Sequence, residues 1–184
     1  IKAEAEIEIT NLHRRALRRF LNEEAQKQQN MEEVTRKAVP EVGDSSSPED
    51  VEDDWLANFF DKCRMVSDKE MQSLWARVLA GEANSPGKYS KRTVNFLSSL
   101  SKWEAELFTS LCGFQWSLEG GVFPLVFDCR DPIYDDQGIT FIGLSHLDAI
   151  GLVDFDNLSG FRILRQPKRI TIFYFGTALN VEFD

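Results

Sequence analysis

A chain of 184 residues has room for one ordinary domain, or for a helical arm joined to a compact domain. Its formal net charge of -9 disfavours a general binder of nucleic acid or anionic membrane, because both surfaces repel net negative charge; no run approaches the ~18 apolar residues of a membrane span, so no membrane contact is expected. Three cysteines, Cys63, Cys112 and Cys129, form an odd set without CxxC spacing, which points to a reduced, cytoplasmic compartment; Cys63 and Cys112 sit in apolar helical context and read as buried, inert thiols.

Residues 1–38 read as one long helix. Ala5, Ile9, Leu12, Ala16 and Phe20 follow helical spacing and form one apolar stripe. Met31, Val34 and Ala38 resume it. Between Asn22 and Asn30 the only apolar residue is Ala25, so a coiled-coil seam would be weak in the middle. Such a helix has no core of its own and needs a partner, which predicts a homo-oligomer formed through it. The chain opens in mid-pattern at Ile1, and a preceding segment is expected as an alternative partner.

Residues 39–54 read as an acidic linker, with Pro40, Gly43, Ser45 to Ser47 and Pro48 as breakers and seven acidic groups against no basic one between 38 and 54. A helical core is expected over 55–116. Trp55, Phe59, Cys63 and Val66 make its first stripe. Ser67 and Glu70 have the spacing of a capping box opening the next helix, whose inward residues are Met71, Leu74, Trp75, Val78 and Leu79. Trp75 is expected to be buried where the helices around 55–66 and 103–116 meet. The stretch Gly81 to Gly87 is read as the stop, with Ser85-Pro86-Gly87 as the turn. Ser90 then caps a short helix bearing Val94, Leu97 and Leu100, and Ser101 with Glu104 forms a second capping box for a helix through about Trp116.

After Trp116 the periodicity changes. Val122 to Phe127 and Ile139 to Ile142 read as β-rich runs around an acidic loop, 128–138. Ser145 to Gly151 reads as a short capped helix. Phe161 to Leu164 and Ile170 to Phe175 read as strands joined through Gln166-Pro167-Lys168, and Leu179 to Phe183 as a further strand. Helices followed by a short helix and a β-hairpin give the order of a winged-helix module. The predicted fold is therefore mainly α, with a long N-terminal helix and a C-terminal α+β, winged-helix-like module over 117–184.

The run Glu70-Met71-Gln72-Ser73-Leu74-Trp75-Ala76-Arg77-Val78-Leu79-Ala80-Gly81-Glu82, followed by Pro86-Gly87, Ser90, Arg92 and Thr93, resembles an uncharacterised bacterial family whose domain has no assigned function. Ala3 to Glu6, Asp53-Asp54-Trp55 and Ala105 to Phe108 resemble it too. A looser similarity, carried by Leu74-Trp75-Ala76 and by Leu147 with Gly151-Leu152, extends to the abortive-infection alpha proteins. That similarity implies an association with phage defence; neither resemblance brings catalytic residues.

Candidate chemistry is sparse. Arg14, Arg15, Arg18 and Arg19 are i,i+4 neighbours beside His13 and form the strongest basic cluster; they read as a phosphate or acidic-partner contact, or as a solvated face eased by Glu23. Arg162, Arg165, Lys168 and Arg169 lie on the expected wing and offer a second phosphate contact. The helix before that wing carries Ser145, His146 and Asp148 but no Arg or Lys, which argues against base readout. Asp128, Asp131, Asp135 and Asp136 have carboxylates suited to a hard cation but no calcium-loop spacing, and read as a solvated loop. No activated nucleophile, zinc spacing or phosphate-binding glycine loop appears, so no catalytic residue, metal or cofactor is expected. The functional expectation is an oligomeric adaptor or sensor module with a protein partner; the alternative is non-specific nucleic-acid binding through the arginine face or the wing.

Overall fold

A computed structural model describes residues 2–118, 121–155 and 168–182, the first of these beginning with backbone alone through position 7. The chain divides into two compact units, Ile1–Leu100 and Ser101–Asp184.

The first unit is helical. Helix α1 spans Lys2–Ala38, α2 Asp53–Cys63, α3 Lys69–Asn84 and α4 Lys91–Ser99. Its core gathers Val34 and Ala38 from α1, Trp55, Phe59 and Cys63 from α2, Trp75, Ala76, Val78 and Ala80 from α3, and Val94 and Leu97 from α4. Aromatic rings organise the centre. Trp55 stacks on Phe59 with centroids 5.1 Å apart, and Phe59 meets Trp75 edge-on at 5.2 Å, the offset and T-shaped geometries that ring quadrupoles favour. Trp75 is fully buried as expected, but its neighbours come from α1 to α4. The helix that follows, α5 (Lys102–Cys112), belongs to the second unit and contributes its side chains to that unit's core.

Two local expectations shift. The cap of α3 is Asp68, whose carboxylate accepts from the Glu70 and Met71 amides at 3.0 Å each. Ser67 stands one residue outside; an ionised carboxylate at a helix N-terminus gains from the macrodipole as well as the hydrogen bonds, so Asp68 prevails. α3 ends at Asn84, within the Gly81 to Gly87 stretch expected to stop it. The acidic linker is also pinned rather than merely solvated. Two short 3-10 turns, Val39–Glu41 and Pro48–Asp50, fold it back; Val51 is buried. Asn84 clamps it with both ends of its amide, accepting from Gly43 N at 2.8 Å and donating to Glu41 O at 3.0 Å.

In the second unit, Ser101 and Glu104 form the predicted capping box of α5. The helix ends at Cys112, and Trp116 lies in a strand instead, because Gly113 closes the helix and β-prone aromatics follow. Strands β1 (Gln115–Leu118), β2 (Gly121–Pro124), β3 (Arg169–Tyr174) and β4 (Thr177–Glu182) form one antiparallel sheet in the order β2-β1-β3-β4. Trp116 pairs with Phe123, Ser117 with Phe173, and Arg169 with Glu182. The β3–β4 hairpin turns on Phe175 and Gly176, both at positive φ, 45° and 81°, as a two-residue type I′ turn requires.

Between the hairpins lie a one-turn helix, α6 (Pro132–Asp135), and α7 (Phe141–Ala149). Ile139 to Ile142 is thus no strand: Thr140 accepts from the Gly143 amide at 3.1 Å and starts α7, four residues before the expected start at Ser145. A short apolar run carries no period that distinguishes strand from buried helix. The core here is Leu107, Leu111, Tyr134, Ile139, Leu144 and Leu147. The architecture is mainly helical, with a long N-terminal helix and a small C-terminal sheet. The strand expected at Phe161 to Leu164 lies outside the described residues.

Candidate functional site

Helix α1 behaves differently along its length. Its C-terminal half seats in the first unit's core. Asn30, 4% exposed, donates to Arg64 O at 2.8 Å and accepts from Gln26 Nε2 at 3.0 Å, tying α1 to the end of α2. Lys37 reaches Ser73 on α3 at 3.1 Å. Residues 8–23, by contrast, are all exposed. The exposed set includes large apolar side chains: Ile9, Leu12, Leu17, Phe20 and Leu21 are each 53–58% accessible. Such residues are singly unremarkable on a surface but not as a helical stripe.

The phase of that stripe matters. At about 100° per residue, Ile9, Leu12, Ala16 and Phe20 fall within about 80° of one another, and Asn30, Val34 and Ala38 return to the same side. One continuous stripe is therefore used in the inner half and left bare in the outer half. The break between them is polar: Glu23 pairs with Arg19 at 3.4 Å, and Glu24 with Lys27 at 2.6 Å. Arg14 and Arg18 project away from the apolar stripe, Arg15 and Arg19 flank it, and all four arginines of the cluster are exposed, as is His13.

The signature helix has a structural role. Glu82 is 2% exposed, and its two carboxylate oxygens accept from the Gly87 amide at 2.6 Å and the Tyr89 amide at 2.7 Å. Trp55 Nε1 donates to Tyr89 O at 2.7 Å. A Cβ on Gly81 would meet the Tyr89 ring at 2.8 Å. Glycine there lets Tyr89 lie against the helix. Trp55, Glu82, Tyr89 and Lys91 help line an open cleft of about 410 Å³, but both Glu82 oxygens are already engaged by backbone amides.

The remaining candidates disperse. Arg169 pairs across the hairpin with Glu182 at 2.9 Å, Lys168 is exposed beside it, and Arg162 and Arg165 lie outside the described residues. Asp128 is held by Arg130 at 2.9 Å, which brings its pKa down to about 2, and Asp131 caps α6 through the Ile133 amide at 3.1 Å. Among the described residues no group of three or more His, Cys, Asp or Glu is placed to hold a metal ion. Burial pushes the Cys63 thiol up to about 12 and raises Cys112 as well, leaving both thiols protonated and weakly nucleophilic.

One polar pair has no local sequence signal. His146 on α7 contacts Glu104 on α5 at 2.7 Å, with the Trp103 ring 5.0 Å from the imidazole. The His146 hydrogen bond, followed by those from Ser101, brings the Glu104 pKa from 4.5 to about 2. Glu104 divides its oxygens: Oε2 accepts from Ser101 N at 2.6 Å and Oε1 faces His146.

Taken together these features define a mainly helical protein with one long helix that outruns its own core, and with buried polar groups committed to holding turns. The family model described as "Protein of unknown function (DUF2806)" matches residues 14–183, and the chain belongs to that family. No curated protein and no solved structure matches it.

Proposed function

We propose that this chain is an oligomeric protein-interaction module, an adaptor or sensor, whose contact surface is the outer half of α1. The observation that supports this is the bare apolar stripe from Ile9 to Phe20, continuous in phase with a stripe buried a few turns later. Most helical stability in proteins comes from packing an apolar face rather than from propensity. The test is sedimentation equilibrium against concentration. The expected result is a mass above the 21.1 kDa of one chain, returning to one chain in Ile9→Asp plus Phe20→Asp; a single-chain mass throughout removes the oligomeric reading. The looser similarity to abortive-infection alpha proteins supports a place in phage defence, and a deletion strain with unchanged sensitivity across a broad phage panel would count against it.

The second reading is non-specific nucleic-acid binding. It draws on the exposed Arg14, Arg15 and Arg18, and on the order of α7 followed by the β3–β4 hairpin, which is that of a winged helix. The net charge of -9 opposes it. Binding would weaken with salt as phosphate contacts release counterions; absence of a gel shift at low salt ends this reading, and a shift abolished by Arg15→Glu plus Arg18→Glu sustains it.

A further inference from the structure

From the exposed stripe and the charges beside it, we infer that the occupant of the outer half of α1 is a second copy of this chain, paired antiparallel about a centre between Leu12 and His13. The inference rests on the reading of α1 as a contact surface and adds the identity and direction of the partner.

The argument begins with size. An antiparallel pair about that centre sets position 9 level with position 16 and position 5 level with position 20. Ile9 then faces Ala16, a large side chain against a small one, and Leu12 meets its own copy across the centre. A parallel, in-register pair sets Phe20 against Phe20 and Ala16 against Ala16, crowding one level and leaving a gap at the next.

Charge gives the same direction. After Lys2, acidic groups stand at positions 4, 6 and 8, and basic groups at 14, 15, 18 and 19. By helical phase Glu8, Arg15 and Arg19 lie on one flank of the stripe. In the antiparallel pair that flank meets itself, and Glu8 of one copy falls level with position 17, between Arg15 and Arg19 of the other. In the parallel pair Arg15 and Arg19 of the two copies stand at the same levels, and like charges beside a seam repel. The polar break at Glu23, Glu24 and Lys27 ends the seam before the stripe enters the first unit's core.

The test is disulfide mapping on the whole chain. Ile9→Cys and Ala16→Cys are made separately, oxidised alone and as a mixture, and the crosslinked peptides identified by mass spectrometry, which keeps the partly buried Cys112 and Cys129 from confusing the result. The expected result is a 9–16 crosslink in the mixture, with neither variant crosslinking to itself. A self-crosslink of Ile9→Cys overturns the antiparallel pairing while leaving α1 as the contact surface. A dimer that persists when Ile9→Asp and Phe20→Asp are combined overturns both, and a chain monomeric at every concentration overturns the second copy as occupant. Because these positions lie outside the first unit's core, each variant should keep the wild-type fold by far-UV circular dichroism; the aspartate pair should weaken association by at least about 100-fold, the loss expected for two apolar anchors on each copy.

Discussion

Replacing Trp75 separates packing from hydrogen bonding at the centre of the first unit. Trp75 is 0% exposed, touches Phe59 edge-on at 5.2 Å, and its Nε1 finds no acceptor among the described residues. Trp75→Ala empties an indole-sized volume among α1, α2, α3 and α4 and should cost roughly 3–5 kcal/mol. At ~4 °C or more per kcal/mol for a unit of this size, the melt should fall by more than about 12 °C. Trp75→Phe keeps the edge-on ring and removes an unsatisfied N–H whose burial itself costs about 1–3 kcal/mol. The phenylalanine variant should therefore lose no more than about 2 kcal/mol despite its smaller volume. Urea unfolding followed by far-UV circular dichroism measures both, without relying on indole fluorescence. An unchanged melt in Trp75→Ala would refute the assignment of this helix as scaffold. Equal losses in the two variants would show that the N–H is satisfied and that the edge-on ring kept by phenylalanine does not carry the stability.

Gly81→Ala ordinarily stabilises a helix interior by about 1 kcal/mol, but here the added methyl meets the Tyr89 ring at 2.8 Å, so a net loss of about 1 kcal/mol is expected in the same urea titration. Glu82→Gln leaves one acceptor where the Gly87 and Tyr89 amides need two; a cost of about 2–3 kcal/mol and faster hydrogen exchange at those two amides should follow. The Glu104 carboxyl is depressed from 4.5 to about 2 in the folded chain, so its contribution is complete above pH 4.5 and fades as pH falls toward 2. Glu104→Gln, which preserves capping-box geometry, should flatten that acid limb of the second unit's stability, and an unchanged limb would show that His146 does not hold the carboxylate in solution. Phe175→Asn should stabilise the hairpin by a few tenths of a kcal/mol, since asparagine tolerates the φ of 45° better than an aromatic does; a lower melting point would refute it.

The helices were legible because periodicity and caps are local. Val34, Trp55, Phe59, Trp75 and Val94 are all buried where their spacing places them, and Ser90 and Ser101 cap the helices they precede. What was not legible depended on distance in sequence or on competition between near-equal signals. Asp68 and Ser67 are both good caps, and the charge of Asp68 decides. Ile139 to Ile142 has strand composition, yet Thr140 supplies a cap that composition does not reveal. The clamp of Asn84 on the linker spans 43 residues to Glu41, and the Glu104–His146 pair spans 42; neither has a local pattern. Glu82 left a trace: it sits one and two turns beyond Val78 and Trp75, on a face otherwise apolar, and a lone acid there needs donors nearby. At the candidate site, the apolar stripe and arginine cluster of α1 were readable, whereas the division of that stripe into a seated half and a bare half depends on where the rest of the chain folds.

Helix α1 is one unbroken rod of 37 residues, about 55 Å long at ~1.5 Å per residue, and its backbone hydrogen bonds make it stiff to twisting. A grip on its outer turns therefore fixes the azimuth of its inner ones. Rotating Phe20 about the axis rotates Val34 within the core and draws Asn30 from the Arg64 carbonyl it holds at 2.8 Å. Under the proposed pairing the rod would act as a torsion shaft: clasping one end would set the seating of the other, and loosening the inner end would show at the outer as a change in which residues face the second copy.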